Sequence, residues 1–140
     1  MARCYSAVMP ARQPAIPALW LISDLRNDAA IESAMAGMPR GSGIVFRHYH
    51  LTADARRARW RQVLRLARRF GHVAVLSGGM AEARALQAAG AYGTAQRLAR
   101  GGSGLRLITV HSLQELGAAH RARADAVLLS PVFATTSHPG

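Results

Sequence analysis

Five short stretches carry side chains able to bind or move charge. Thr135, Thr136, Ser137 and His138 follow Pro131 near the end of the chain, and Thr109 and His111 flank Val110. Ser77 opens a Ser77-Gly78-Gly79 turn, Arg47 leads Arg47-His48-Tyr49-His50, and Asp24 ends Leu19-Trp20-Leu21-Ile22-Ser23. Hydroxyls, a guanidinium and backbone N–H groups in small-residue loops share one use: they converge as donors on phosphate or another oxyanion. A solvated loop accounts for the terminal hydroxyls equally well, and glycine after a strand serves turn geometry as often as ligand approach. His111 is placed for a general acid, a substrate hydrogen bond or a structural bond to the backbone. Asp24 suits chemistry at a strand end, and either it or Asn27 suits the cap of a following helix. His48 and His50 alternate around Tyr49, so an extended segment would put both on one face. Two ligands without a third make no metal site, and none is assigned.

Composition narrows these choices. All 18 basic residues are arginine, and the net charge is +11. Without lysine there is no Schiff-base or lysine–phosphate chemistry. A positive field of this size favours phosphorylated small molecules, and also nucleic acid. Arg57, Arg61, Arg65 and Arg68 run along one helix but lack the aromatic interleaving of single-strand binders, so they read as a solvated face, with a nucleic-acid-binding module as a remaining alternative. Cys4 is the one cysteine, so an internal disulfide is excluded and a reduced cytoplasm fits. No apolar run reaches the roughly 18 residues of a membrane span. Residues 1–16, punctuated by Pro and Arg, read as a flexible lead-in without the apolar centre of a signal peptide. Residues 17–140 then form a single domain.

The elements that must position those residues follow from apolar runs and stop signals. Strands are expected at Ala18–Ser23, Ile44–Phe46, His72–Leu76, Ala91–Ala95, Leu105–Val110 and Ala126–Leu129. The last of these is uniformly apolar, as a strand buried on both faces would be. Helices are expected at Ala29–Met38, Ala53–Phe70, Met80–Ala89 and from Ser112 to Arg123, with residues 96–104 as a loop. Thr52 caps the long helix, whose Trp60, Val63, Leu64, Ala67 and Phe70 make a core-facing stripe, and Gly71 ends it. Ser112 with Glu115 three positions later is a capping box. Strand and helix alternate every 20 to 30 residues or so, which right-handed crossovers turn into a parallel sheet with helices outside.

Three segments together resemble the thiamine-phosphate synthase and thiazole tautomerase family. Ser130-Pro131-Val132-Phe133-Ala134-Thr135-Thr136-Ser137-His138-Pro139-Gly140 is similar to the family's strand end and Thr-rich phosphate loop. Leu19-Trp20-Leu21-Ile22-Ser23-Asp24 resembles its first strand, and Thr109-Val110-His111-Ser112 with Glu115 its fifth strand and helix start. The resemblance runs from about Leu19 to the end and is most specific in the closing motif. It implies an α/β fold of the TIM-type (β/α)8 barrel, with about six strand units present here. It also implies a reaction: hydroxymethylpyrimidine diphosphate is joined to thiazole phosphate, and pyrophosphate is released. A thiazole-phosphate-binding or tautomerase-like paralogue is the alternative.

On that resemblance, Arg47 and His111 are the candidate catalytic residues. Asp24, Ser77, Thr109, Thr135, Thr136, Ser137 and His138 are the candidate substrate and phosphate contacts. The partners implied are phosphorylated pyrimidine and thiazole molecules, and the cofactor implied is Mg²⁺, for which no ligands are identified. Val45-Phe46-Arg47-His48-Tyr49 keeps only the arginine of the family's Gln-Leu-Arg-Glu-Lys, and Ser77-Gly78 replaces Asn-Asp. Thr94, Ala95, Gln96 and Arg97 match neither the histidine nor the acidic residue expected there, and His138 stands for a lysine. Six units where the fold has eight leave an apolar edge, so either a partner chain covers it or the sequence is incomplete.

Overall fold

The computed structural model describes residues 15–133. Six strands, β1 (Trp20–Ser23), β2 (Gly43–Phe46), β3 (Val73–Ser77), β4 (Gly90–Gly93), β5 (Leu105–Val110) and β6 (Ala126–Leu129), alternate with five helices. These are α1 (Ile31–Gly37), α2 (Ala53–Phe70), α3 (Met80–Ala85), α4 (Ala95–Leu98) and α5 (Leu113–Arg121), with a 3-10 turn at Asp28–Ala30 before α1.

The strands lie in the order β1-β2-β3-β4-β5-β6, each parallel to its neighbours. An order that never doubles back means every crossover advances the chain the same way, placing all helices on one face. That is the winding of a barrel rather than of a doubly wound sheet, whose order reverses at a switch point. The sheet curls into a half-barrel.

Strand alternation gives each face its own core. Ile44, Phe46, Leu76 and Ile108 point outward and pack with Trp60, Val63 and Met35 of the helices. Val45, Val75 and Leu107 point into the concavity beside Trp20, Ile22, Tyr92 and Leu128. Trp20 lies across Gly43, where a Cβ would collide with its ring.

The helix α2 starts and stops as its cap chemistry dictates. Thr52 Oγ1 accepts from the Ala55 N–H at 3.4 Å, and Gly71 takes the left-handed conformation with φ 72°. Trp60 Nε1 donates to the Leu86 carbonyl at 2.9 Å, tying α2 to the end of α3.

Several expectations are corrected. Ala95, expected to end a strand, and residues 96–98, read as loop, form α4, a single turn capped by Thr94. The helix from Met80 stops at Ala85, and Gly90 opens β4 rather than ending a helix. There a Cβ would run into the Leu105 carbonyl, so the close β4–β5 approach requires glycine. The strand Ala126–Leu129 is apolar but lies at the sheet edge, and is not buried on both faces. Val127 is 41% and Leu129 57% exposed, because among the described residues no helix follows to cover their side of the sheet. Asn27 does not cap by its side chain: its Oδ1 accepts from the Asp24 N–H and its Nδ2 donates to the Ile22 carbonyl.

Candidate functional site

Parallel strands bring all their carboxyl ends to one rim, and side-chain alternation decides what that rim presents inward. Two residues beyond the inward Val45 stands Arg47, beyond Val75 stands Ser77, and beyond Tyr92 stands Thr94. Leu107 is followed at the same spacing by Thr109 and then His111, and Leu128 by Ser130. The concave face therefore changes from apolar to polar at one level. Arg47, Ser77, Thr94, Thr109, His111 and Ser130, with Tyr49 and Arg97, line a cavity of about 460 Å³ above the apolar Ile22, Tyr92 and Leu128.

Hydrogen bonds fix several of these groups. Arg56 of α2 donates from Nε to the Arg47 carbonyl at 3.0 Å and from Nη2 to the Ser77 carbonyl at 2.6 Å, clamping the ends of β2 and β3. Glu82 lies 3.5 Å from Arg56 Nη1. The Tyr49 hydroxyl bonds to Ser77 Oγ, and the Arg47 guanidinium sits 5.4 Å from the Tyr49 ring centre. Arg47 Nε is buried and has no partner among the described residues. The His111 Nδ1–H donates to the Ser130 carbonyl, which can only accept. In the neutral ring Nε2 is then an acceptor, 3.3 Å from Thr109 Oγ1, and it becomes a donor to an anion only when the ring is protonated. The Ser112 side chain caps α5 at Glu115 N, but the Glu115 carboxylate reaches back to the His111 N–H at 2.6 Å instead of to Ser112.

A second polar cluster lies behind the end of β1. Ser23 Oγ accepts from the Arg47 N–H at 3.0 Å and donates to His48 Nδ1 at 2.9 Å. His48 Nε2 donates to Asp28 Oδ1 at 2.8 Å, since a carboxylate can only accept. Arg59 Nε donates to the same oxygen at 2.8 Å, and Arg59 Nη1 to Glu32. Ser23 and His48 are fully buried, so this Ser-His-Asp chain joins β1, β2 and α2 and offers no exposed nucleophile. His48 adopts φ 38°, so the segment is not extended as expected, yet the His48 and His50 rings still lie 5.3 Å apart.

The rim thus brings together four sequence-predicted residues: Arg47, Ser77, Thr109 and His111. Asp24 is not among the cavity residues. The chain turns after Ser23, and the Arg26 N–H and guanidinium take its carboxylate at 2.8 and 2.7 Å. Those bonds, and to a lesser degree the charges of Arg26 and Arg47, hold its pKa down at about 2. Thr135, Thr136, Ser137 and His138 lie outside the described residues. Arg97, Thr94, Tyr49 and Ser130 were missed as site residues. Thr94 and Ser130 carry the inward spacing that identifies the others, whereas Arg97 reaches the rim from α4, the helix that was not expected. Arg56 and Arg59 were missed as well, though both fall on the Trp60–Val63–Ala67 side of α2. Among the described residues no three His, Cys, Asp or Glu side chains gather as a metal-binding group, and no helix is long and apolar enough to cross a membrane.

Fold and rim together define a singly wound parallel α/β half-barrel with a cationic, hydroxyl-lined mouth. No family model matches the sequence, and no curated protein does. Among solved structures the chain is similar to a thiamine phosphate pyrophosphorylase from Pyrococcus furiosus, with a TM-score of 0.63 and 18% identity. The match covers 86% of this chain and 63% of that one, so the chain spans less than two thirds of the structure it matches. The likeness establishes a thiamine-phosphate-synthase-like fold.

Proposed function

We propose that the rim cavity binds a phosphorylated small molecule and that the chain is a thiamine-phosphate-synthase-like protein of thiamine biosynthesis. Its reaction joins hydroxymethylpyrimidine diphosphate to thiazole phosphate. The bond from the pyrimidine's methylene carbon to the diphosphate breaks, pyrophosphate leaves with the electron pair, and the thiazole nitrogen captures the carbon. One observation carries this reading: two guanidiniums, Arg47 and Arg97, line the same cavity as Ser77, Thr109 and His111. Fixed cations and donors aimed at a departing diphosphate stabilise the charge that develops there. A cavity of about 460 Å³ suits a small ligand.

The alternative is a binder or tautomerase-like protein that holds thiazole phosphate without coupling it. It is favoured by the absence of any carboxylate from the cavity lining among the described residues. Purified chain incubated with both substrates separates the readings. Thiamine phosphate formed, and lost on Arg47→Gln, supports the synthase. Thiazole phosphate bound without product supports the binder, and a chain that shows neither product nor binding sinks both readings. A cytoplasmic setting, with a second copy covering the β6 edge, completes the proposal.

A further inference from the structure

The thiamine-phosphate-synthase-like fold implies Mg²⁺, and the residues present do not fit it. Mg²⁺ in such sites is held by one or two carboxylates as well as by substrate phosphates. This chain has only 7 acidic residues, all within the described region. None lines the rim cavity, and each is engaged elsewhere. Asp24 is bound by Arg26, Asp28 by His48 and Arg59, and Glu32 by Arg59. Glu82 faces Arg56, and Asp54 lies exposed 3.9 Å from Arg57. Glu115 accepts from the His111 N–H, and Asp125 from the Arg106 N–H at 2.8 Å.

The cavity instead presents positive charge with no carboxylate among its lining residues. Arg47 and Arg97 form no ion pair among the described residues. Arg47 Nε is buried and lacks a partner among the described residues. Burying a guanidinium N–H unpaired is costly, and a ligand that draws the Arg47 guanidinium further into the cavity it lines would relieve that cost.

We infer that this site grips a phosphate or diphosphate through Arg47 and Arg97 without a divalent cation. The inference rests on the rim cavity being a phosphate site. Planar guanidiniums match phosphate oxygens in pairs, so two of them supply the charge and the geometry that a metal would otherwise provide.

The test is titration calorimetry of the whole chain with inorganic pyrophosphate, once in EDTA and once in excess Mg²⁺. Binding is expected in EDTA, with no gain from Mg²⁺. Arg47→Gln and the exposed Arg97→Gln should each weaken it about tenfold, as expected for a lost charge-assisted contact. Arg61→Gln, on the far side of α2, should leave it within about twofold, a rim of diffuse charge being screened by salt. Arg97 lies on the surface, so its variant folds even if Arg47→Gln does not, as circular dichroism will report. Binding that appears only with Mg²⁺ overturns the inference and leaves the phosphate site standing. Binding in EDTA that ignores Arg97→Gln, or falls equally with Arg61→Gln, also overturns it. No binding under either condition sinks the phosphate site itself.

Discussion

His48 Nε2 donates to Asp28 Oδ1 at 2.8 Å, linking a fully buried imidazole on the β2 side of the rim to the turn that leaves β1. Arg59 bonds the same carboxylate oxygen and, through Nη2, the Asp28 carbonyl at 3.0 Å, so one acidic residue fixes two strand ends and the first half of α2. Ser23, at the other end of the imidazole, also takes the Arg47 N–H. The cluster therefore sets where Arg47 leaves its strand, and so where its guanidinium enters the cavity.

Removing the Asp28 carboxylate leaves the buried His48 Nε2–H without its acceptor. Asp28→Ala is expected to lower stability by about 1–3 kcal/mol, the usual cost of an orphaned buried donor. Asp28→Asn keeps an oxygen for the imidazole and should lose less. Urea denaturation of both variants measures the difference. An Asp28→Ala protein as stable as the wild type would mean that the bond contributes nothing.

Acid should weaken the fold through the same cluster. Hydrogen bonds from Arg59 hold the Glu32 carboxyl below its ordinary 4.5. Burial pushes the Asp28 pKa up, but the bonds from His48 and Arg59 prevail and hold it below 3.8. The Arg26 bonds hold Asp24 at about 2. Groups with depressed pKa values take up protons on unfolding in acid, so their contribution is complete above the unfolded values and fades as pH falls. Thermal melting is expected to be flat from neutrality to about pH 5, then to fall below about 4.5 and keep falling toward 2. Asp28→Asn combined with Glu32→Gln should flatten that slope. An equal slope in the variant would assign acid sensitivity to Asp24 or to general charge repulsion in this arginine-rich chain.

Much of this architecture is legible in the sequence because local chemistry encodes it. Thr52 and Gly71 delimit α2, and the apolar runs at 105–110 and 126–129 are β5 and β6 at their observed bounds. Half the rim is legible for the same reason: a polar residue two places past an inward apolar one must share its face, as Ser77 shares that of Val75. The Ser23–His48–Asp28 chain is not legible, since its members stand 25 and 20 residues apart and only the β1–β2 register joins them. Asp24 has the right spacing past Ile22, but the turn held by Asn27 and Arg26 takes it from the cavity. Nor could the exposure of β6 be read from an apolar run, which is the same whether a strand is central or at an edge.

Arg56 positions the site without lining the cavity, and its effects on affinity and stability are separable. Arg56→Met keeps the aliphatic stem but frees the carbonyls of Arg47 and Ser77. It should cost about 1–2 kcal/mol for two part-buried acceptors left to water. Pyrophosphate affinity should fall severalfold more than stability alone explains, as read by calorimetry well below the melting temperature. Arg56→Lys can restore one of the two bonds and should recover part of both losses. Unchanged affinity in a destabilised Arg56→Met protein would confine the residue to a structural role.

The β6 edge predicts self-association. Leu129 points outward from an edge strand that among the described residues pairs only with β5, and Val127 beside it lines an open groove with Leu113 and Leu116 of α5. Leu113 is 86% exposed, and an apolar strand edge beside an apolar helix face favours pairing with another such surface. Sedimentation of the wild type is expected to show a concentration-dependent dimer or larger species. Val127→Arg with Leu129→Arg should shift it to monomer. Leu129 is mostly and Val127 partly solvent-facing, so the double variant should keep its circular dichroism and melt within a few degrees of the parent. A wild-type chain that stays monomeric at high concentration would show that the edge is tolerated bare. Association that survives both arginines would move the contact to another face, with the β1 edge beside Trp20 next to be tested.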